Sequence, residues 1–333
     1  MSKIKSIAVI GGGSWATAIV KILTEHQSLN IDWWMRNKQA VEHIQKFKHN
    51  PNYISSVAFD TNYVKPTTNL IETVANNEYI ILATPAAFLN EQLSVLSKNA
   101  FKNKKVATSI KGIIPETYQV VGHYLINTWH IDEQNLAVIS GPCHAEEVAL
   151  EKLSYLTIAS MNDAFADALE ELIACRFIKT KKTEDVFGVE YAAVLKNVYA
   201  IACGICHGLG YGDNFQAVLV SKSLSEMELF LDDCHTQHRD VKENAYLGDL
   251  LVTAYSQFSR NRTFGNMLGK GYTVKSAQME MNMVAEGYYS TKTMAKINEE
   301  IGTNMPILTA VFDIIYNQKN PRAIFTALEN QLV

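Results

Sequence analysis

Lys196 sits in the run Tyr191-Ala-Ala-Val-Leu-Lys196-Asn197-Val-Tyr-Ala-Ile-Ala-Cys203-Gly204, whose Ala and Leu content predicts a helix. On a helix, Ala192, Ala193, Tyr199 and Ala200 share the face of Lys196. Three small neighbours leave room beside the ammonium for another body. Such a lysine has two uses. It can lay its stem on apolar surface with its head in water. If desolvated, its pKa falls toward neutrality and it can serve as a general acid or base.

A second group of residues points to a phosphate. Gly11-x-Gly13-x-x-Ala16 follows the apolar run Ser6–Ile10 and precedes helical spacing from Thr17 to Leu23. In that setting Gly11 permits a tight turn, Gly13 admits a pyrophosphate to the backbone, and Ala16 lets helix and strand pack closely. Free N–H groups and the helix dipole complete a dinucleotide site. A ribose-binding acid would stand about 20 residues later. Met35-Arg36-Asn37 occupies that place, and Arg36 suits an adenosine 2′-phosphate, so NADP is at least accepted. At other strand ends stand Ser109-Ile-Lys111-Gly112 and Ser140-Gly141-Pro142-Cys143-His144-Ala145-Glu146. Lys111 there is a plausible contact for an anionic cofactor. Asp249 is either the N-cap of its own helix or a site carboxylate. Arg260 and Asn261 offer a fork of donors suited to a phosphate.

Elements must position these groups. Up to about Glu184, strand candidates (31–36, 78–85, 104–111, 135–142, 156–161) alternate with helical spacing (38–48, 88–99, 117–128, 163–175). That rhythm predicts a parallel sheet covered by helices on both faces. Residues 50–68, with Pro51 and Pro66, read as an irregular excursion. Beyond Glu184 only helices are expected, over 189–204, 215–232, 250–258, 276–299, 306–317 and 321–331. The fold class is therefore α/β: a Rossmann-type doubly wound sheet over 1–184, then an all-helical domain over 185–333.

Composition narrows the function. A chain of 333 residues exceeds the usual single core, and a net charge of −4 offers no field for nucleic acid or anionic lipid. The expected compartment is cytoplasmic: no signal peptide, no apolar run of membrane-spanning length, and an odd five cysteines that suit reduced thiols. Cys203-Gly-Ile-Cys206-His207 matches the haem-attachment pattern, but it continues the apolar Lys196 helix, so neither haem nor metal is expected. Cys234-His235 with His238 reads as a solvated segment.

Taken together, Gly11–Ala16, Ala83-Thr84-Pro85, Ser109–Gly112, Ser140–Pro142, Gly188-Val189 leading to Lys196-Asn197, Gly248-Asp249-Leu250 with Thr253, Ser259–Arg262, and Val284-Ala-Glu286-Gly287 occur in a telling order. Nearly end to end, the chain resembles the bacterial NAD(P)-dependent glycerol-3-phosphate dehydrogenases. The resemblance implies reversible hydride transfer from NAD(P)H to dihydroxyacetone phosphate, giving sn-glycerol 3-phosphate for glycerophospholipid synthesis, in a homodimer whose helical domain binds substrate. It implies that Lys196 is the acid/base and that Asp249 and Lys111 serve catalysis. Asn197, Thr253, Ser259, Arg260 and Asn261, with Gly141, Cys143 and Lys111, would surround the substrate. Gly11, Gly13, Ser14, Trp15, Arg36, Lys111, Ala145, Arg260, Val284 and Glu286 would contact the cofactor. This chain departs from the family pattern at Cys143, where Ser or Thr is usual, at Ala192 and Ala193, usually glycines, and in the 50–55 loop. Two other readings fit the same plan: a hydroxyacid or 6-phosphogluconate-type dehydrogenase, and a non-catalytic dinucleotide sensor.

Overall fold

A computed structural model describes residues 4–26, 29–281 and 285–332. The chain divides into two compact units, one of Met1–Ile110 with Val121–Val186, the other of Lys111–Val120 with Phe187–Val333.

The first unit alternates strand and helix: β1 (Ser6–Ile10), α1 (Ser14–Leu23), β2 (Asn30–Trp34), α2 (Lys38–Phe47), β3 (Val64–Thr67), α3 (Leu70–Asn76), β4 (Tyr79–Leu82), α4 (Ala86–Leu93) and β5 (Lys105–Thr108). The hairpin strands β6 (Ile113–Ile114) and β7 (Gln119–Val120) intervene and belong to the second unit. Then come α5 (Val121–Trp129), β8 (Leu136–Ser140), α6 (Ala145–Ala149), β9 (Ser154–Ala159), α7 (Asp163–Ile173) and β10 (Ile178–Thr183). The sheet runs β10-β9-β8-β5-β4-β1-β2-β3, and every neighbouring pair is parallel except β8 with β9. β1, β4, β5 and β8 are almost wholly buried because helices cover both faces, which is why they read as unbroken apolar runs.

The expected strands are all present; α3 and α6 lie outside the expected helices, α4 ends at Leu93 short of the expected 99, and there are four further departures. The 50–68 excursion contains β3, and Pro66 is tolerated there because β3 is an edge strand. β9 turns antiparallel. β10 forms the opposite edge from Ile178-Lys-Thr-Lys-Lys-Thr183, whose lysines hide a strand signal while suiting an edge that must not pair further. The helix expected from Thr117 begins only at Val121, because Tyr118 (φ 55°) turns the chain and Gln119–Val120 pairs back on Ile113–Ile114.

The second unit is otherwise helical: α8 (Val186–Gly208), α9 (Asp213–Cys234), a π-turn over Asn244–Gly248, α10 (Asp249–Tyr255), α11 (Arg260–Gly269), α12 (Val274–Glu280), α13 (Glu286–Ile301), α14 (Pro306–Ile315) and α15 (Pro321–Glu329). The helix expected over 276–299 is two helices. α12 ends at Glu280, Met281 is extended, and α13 starts after an extended Ala285. α8 also corrects the expectation about apolar runs. At 23 residues and mean hydropathy 1.3 it is long and apolar enough to cross a membrane, yet 94% of that window is buried within the protein, as in a core helix.

Glycine brings α8 and α11 together. A Cβ on Gly204 would lie 2.1 Å from the Arg262 carbonyl oxygen, and one on Gly265 would lie 2.1 Å from that of Ile201. One turn further along, Gly208 and Gly269 are equally crowded, at 2.4 Å from the carbonyl oxygens of Asn266 and Ile205. The two helices thus touch backbone to backbone through Gly204-x-x-x-Gly208 and Gly265-x-x-x-Gly269, which fixes α11, from Arg262 to its end at Gly269, against the last turns of α8. Gly265→Ala is expected to part them and cost about 3 kcal/mol, at the upper end of ordinary overpacking. Gly212→Ala, whose Cβ would meet nothing within 4 Å, should cost no more than about 1 kcal/mol. Urea midpoints of the two variants check the contrast.

Candidate active site

In the first unit the turn after β1 is built by close approach. Gly11 has φ +144°, and a Cβ there would lie 2.4 Å from the Ala83 carbonyl oxygen at the end of β4. β2 pins the same residue: the Gly11 N–H donates to the Trp34 carbonyl (2.9 Å), and the Trp33 indole N–H donates to the Gly11 carbonyl (2.7 Å). Gly13 differs in kind. Its Cβ would meet nothing within 4 Å, and it begins α1 without any side-chain cap. An open space before an uncapped, positively polarised helix end is what a pyrophosphate requires, so these residues fit a dinucleotide.

Ser14 and Trp15 form the first turn of α1, and buried Ala16 packs it on the sheet. Arg36 is exposed just past β2, its guanidinium 5.7 Å from the centroid of the Phe88 ring on α4. Thr84 holds a buried hydroxyl at the end of β4. Gly141 (φ +122°) is required by packing, since a Cβ would lie 2.7 Å from the Tyr155 carbonyl oxygen. Cys143 and Ala145 are buried beyond it, at the end of β8 and the start of α6. Val284 lies outside the described residues.

In the second unit three charges meet. Lys196, in the middle of α8, is 5% exposed and donates to the Asp249 carboxylate. Lys111, just before β6, donates to the other carboxylate oxygen at 3.0 Å. Asp249 is 1% exposed and opens α10, but the N-cap is Gly248 and the Asp249 carboxylate is spent on the two ammonium groups instead. Burial alone would raise its pKa, and the two lysines overcome this and hold it below the usual value. Burial pulls the Lys196 ammonium below the ordinary lysine value; Asp249 draws it back up and Lys111 pushes it down. The desolvated lysine is therefore the one present.

Amides surround the cluster. Asn197 donates to the Lys111 carbonyl (3.1 Å) and accepts from Asn261 (2.9 Å), whose own oxygen accepts from the Gly287 N–H (2.9 Å). This chain explains the break before α13. A restarted helix offers a first-turn N–H to Asn261, and Gly287 is glycine because a Cβ would lie 2.6 Å from the Asn197 carbonyl oxygen. Thr253 donates to the Asp249 carbonyl (2.6 Å). Ser259 caps α11, accepting from the Arg262 N–H (3.3 Å). Arg260 is exposed in the first turn of that helix, where guanidinium and helix dipole carry the same sign. Glu286 opens α13, and burial lifts its carboxyl pKa to about 7 despite Arg260 nearby. Among the described residues, no group of three or more His, Cys, Asp or Glu could hold a metal ion.

The packing roles of the four crossing glycines and of Gly287, and those of Asn50 and Thr17 beneath the glycine turn, are not legible in the sequence. The G-x-x-x-G spacing was the only available signal for the crossing.

Comparison with known proteins agrees with this layout. Residues 6–166 and 185–326 match the family models described as NAD-dependent glycerol-3-phosphate dehydrogenase N-terminus and C-terminus. The NAD(P)+ glycerol-3-phosphate dehydrogenase of Thermoanaerobacter sp. (strain X514) is 33% identical over 321 residues, spanning 95% of this chain and 94% of its own. That of Bacillus subtilis (strain 168) is 31% identical over 98% of this chain and 93% of its own. The crystal structure of glycerol-3-phosphate dehydrogenase from Coxiella burnetii superposes with a TM-score of 0.91 at 27% identity, covering 98% of each chain. D-mandelate dehydrogenase shares only the fold, with a TM-score of 0.59 and 12% identity over 94% of this chain and 98% of its own.

Removing Asp249 leaves buried positive charge without its counterion. Asp249→Ala is expected to destabilise by about 3–5 kcal/mol at pH 6. The Lys196 pKa in the folded variant falls further, so the folded state sheds a proton that the unfolded chain keeps. A group depressed by folding loses stability as pH falls, and the deficit should be smaller at pH 9 than at pH 6. Urea denaturation at the two pH values measures it.

Proposed function

The chain belongs to the NAD-dependent glycerol-3-phosphate dehydrogenase family, and from that premise we propose that it interconverts dihydroxyacetone phosphate and sn-glycerol 3-phosphate with NAD(P)H. It would supply glycerophospholipid synthesis in the cytoplasm and act as a homodimer joined through the helical unit. The observation that carries the reading is the buried Lys196–Asp249–Lys111 cluster.

When bound, the nicotinamide supplies the hydride. The chain's residues do the rest. The Gly11–Gly13 turn and the start of α1 receive the pyrophosphate, and Arg36 receives an adenosine 2′-phosphate. Arg260, at the positive end of α11, takes the substrate phosphate with a planar fork of donors. Lys196 gives its proton to the oxygen that becomes the C2 hydroxyl, and takes it back in the oxidative direction. Its lowered pKa makes the proton easier to give near neutrality than an ordinary lysine's would be. Asp249 holds the ammonium in place, and Lys111 adds positive charge where negative charge develops. Asn197, tied to the Lys111 carbonyl and to Asn261, fixes the lysine's neighbourhood, and Thr253 keeps hydroxyl lone pairs available for a substrate hydroxyl.

The decisive assay is dihydroxyacetone phosphate-dependent oxidation of NADPH and NADH by the purified protein. Lys196→Met should bind NADPH normally and lose turnover by about 100-fold or more. The reductive rate of the parent should fall as pH rises through the Lys196 pKa. In Asp249→Asn that fall should move to lower pH, because the carboxylate is what draws the pKa up. Turnover of Lys196→Met within a few-fold of the parent would contradict the assignment.

Cofactor choice is tested at Arg36. The guanidinium lies over Phe88 at the end of β2 with no acidic residue beside it in sequence. Arg36→Ala should weaken NADPH by about 1.5–3 kcal/mol, the range for a charge-assisted hydrogen bond, and leave NADH nearly unchanged. Dissociation constants of both cofactors for parent and variant decide it.

A further inference from the structure

Beneath the glycine turn lies a side chain that no part of the reaction uses. Asn50 is fully buried, in the loop between α2 and β3. All of its hydrogen-bonding capacity is engaged. Its oxygen accepts from the N–H groups of Asn52 (3.0 Å) and Tyr53 (3.3 Å). Its amide nitrogen donates to the Gly12 carbonyl (3.2 Å) and to the Thr17 hydroxyl (2.9 Å). Thr17 in turn donates to the Gly13 carbonyl (2.9 Å), which also accepts the helical bond from the Thr17 N–H (3.0 Å). One buried amide thus restrains two consecutive carbonyls, Gly12 directly and Gly13 through Thr17.

A trans peptide is planar, so its N–H points opposite to its C=O. Drawing the Gly12 carbonyl toward Asn50 sends the Gly13 N–H the other way. Drawing the Gly13 carbonyl toward Thr17 does the same to the Ser14 N–H. Glycine has almost no steric barrier of its own against rotating such a peptide. A rotated Gly12–Gly13 peptide would present an oxygen where the N–H had been.

We propose that Asn50, acting through Thr17, is a positioning residue for cofactor affinity: it keeps the Gly12–Gly13–Ser14 peptides turned with their N–H groups toward a pyrophosphate. The proposal rests on the dinucleotide reading of this turn. It also gives the altered 50–55 loop a task, since Asn52 and Tyr53 are what hold the Asn50 oxygen and so aim its nitrogen.

The test measures binding of ADP-ribose, which carries the pyrophosphate, by calorimetry, and of adenosine, which lacks it, by ligand-observed NMR. Asn50→Ala and Thr17→Val should each weaken ADP-ribose about ten- to hundredfold, the loss expected when charge-assisted hydrogen bonds go. Adenosine should stay within about twofold. Thr17→Ser, which keeps the hydroxyl, should restore ADP-ribose binding, a pattern that a merely structural role would not produce. Should Asn50→Ala fail to give a cooperative melt, the near-isosteric Thr17→Val decides alone. Unchanged ADP-ribose affinity in a folded variant would overturn the proposal, as would equal weakening of both ligands. Failure of the parent itself to bind ADP-ribose would instead overturn the dinucleotide reading, and this proposal with it.

Discussion

Two ammonium groups share one buried carboxylate, and that imbalance governs the helical unit. An ion pair about 4 Å apart returns about 4 kcal/mol at an effective dielectric of 20, while withdrawing each ion from water costs several. Three ions with two attractive contacts and one repulsion are a poor way to hold a fold together. What the cluster does is hold two ammonium groups on one carboxylate, and the architecture is spent on keeping them there. α8 must bury a lysine at its centre. A π-turn must deliver Asp249 to the first position of α10, where its carboxylate leaves the helix end and meets the lysines. A hairpin of two-residue strands must bring Lys111 to the same carboxylate.

The glycine crossing and the amide chain are the supports for this arrangement. Backbone contact between α8 and α11 leaves no freedom for α11, so Asn261 stands within reach of Asn197, the residue next to Lys196. From Asn261 the chain of hydrogen bonds continues to the Gly287 N–H and thereby sets where α13 begins. A site of loosely held long side chains would lose its geometry to rotamer freedom. Here short amides and backbone groups set the spacing, and only the ammonium groups and Arg260 are long.

Much of this was legible in the sequence, and the boundary follows physical lines. Features carried by local pattern could be read: the buried strands by their apolar runs, the glycine turn by its place between strand and helix, the Lys196 helix by its composition. Features that depend on a distant partner could not. Nothing near Asp249 distinguishes an N-cap from a carboxylate that reaches two lysines, one of them 138 positions away. Gly204, Gly208, Gly265 and Gly269 are unremarkable singly, because their meaning is mutual. Asn261 reads as a phosphate donor, and its second task, holding Asn197 and the Gly287 N–H, shows only once those partners are in place. β10 went unread because an edge strand is selected for solubility as much as for pairing, and Tyr118 hides a turn behind a residue that seldom makes one.

The burial of α8 bears on how the chain is made as well as on what it does. While it is being synthesised, before its partners exist, a helix of this length and hydropathy satisfies the criteria by which membrane segments are chosen. Lys196 sits near its midpoint, where a lysine adds about 2.5–3.5 kcal/mol to the cost of entering the bilayer. The charge assigned to proton transfer in the finished protein thus also opposes a misplaced fate for the nascent one. Replacing it with an apolar residue would remove that cost together with the proposed proton donor.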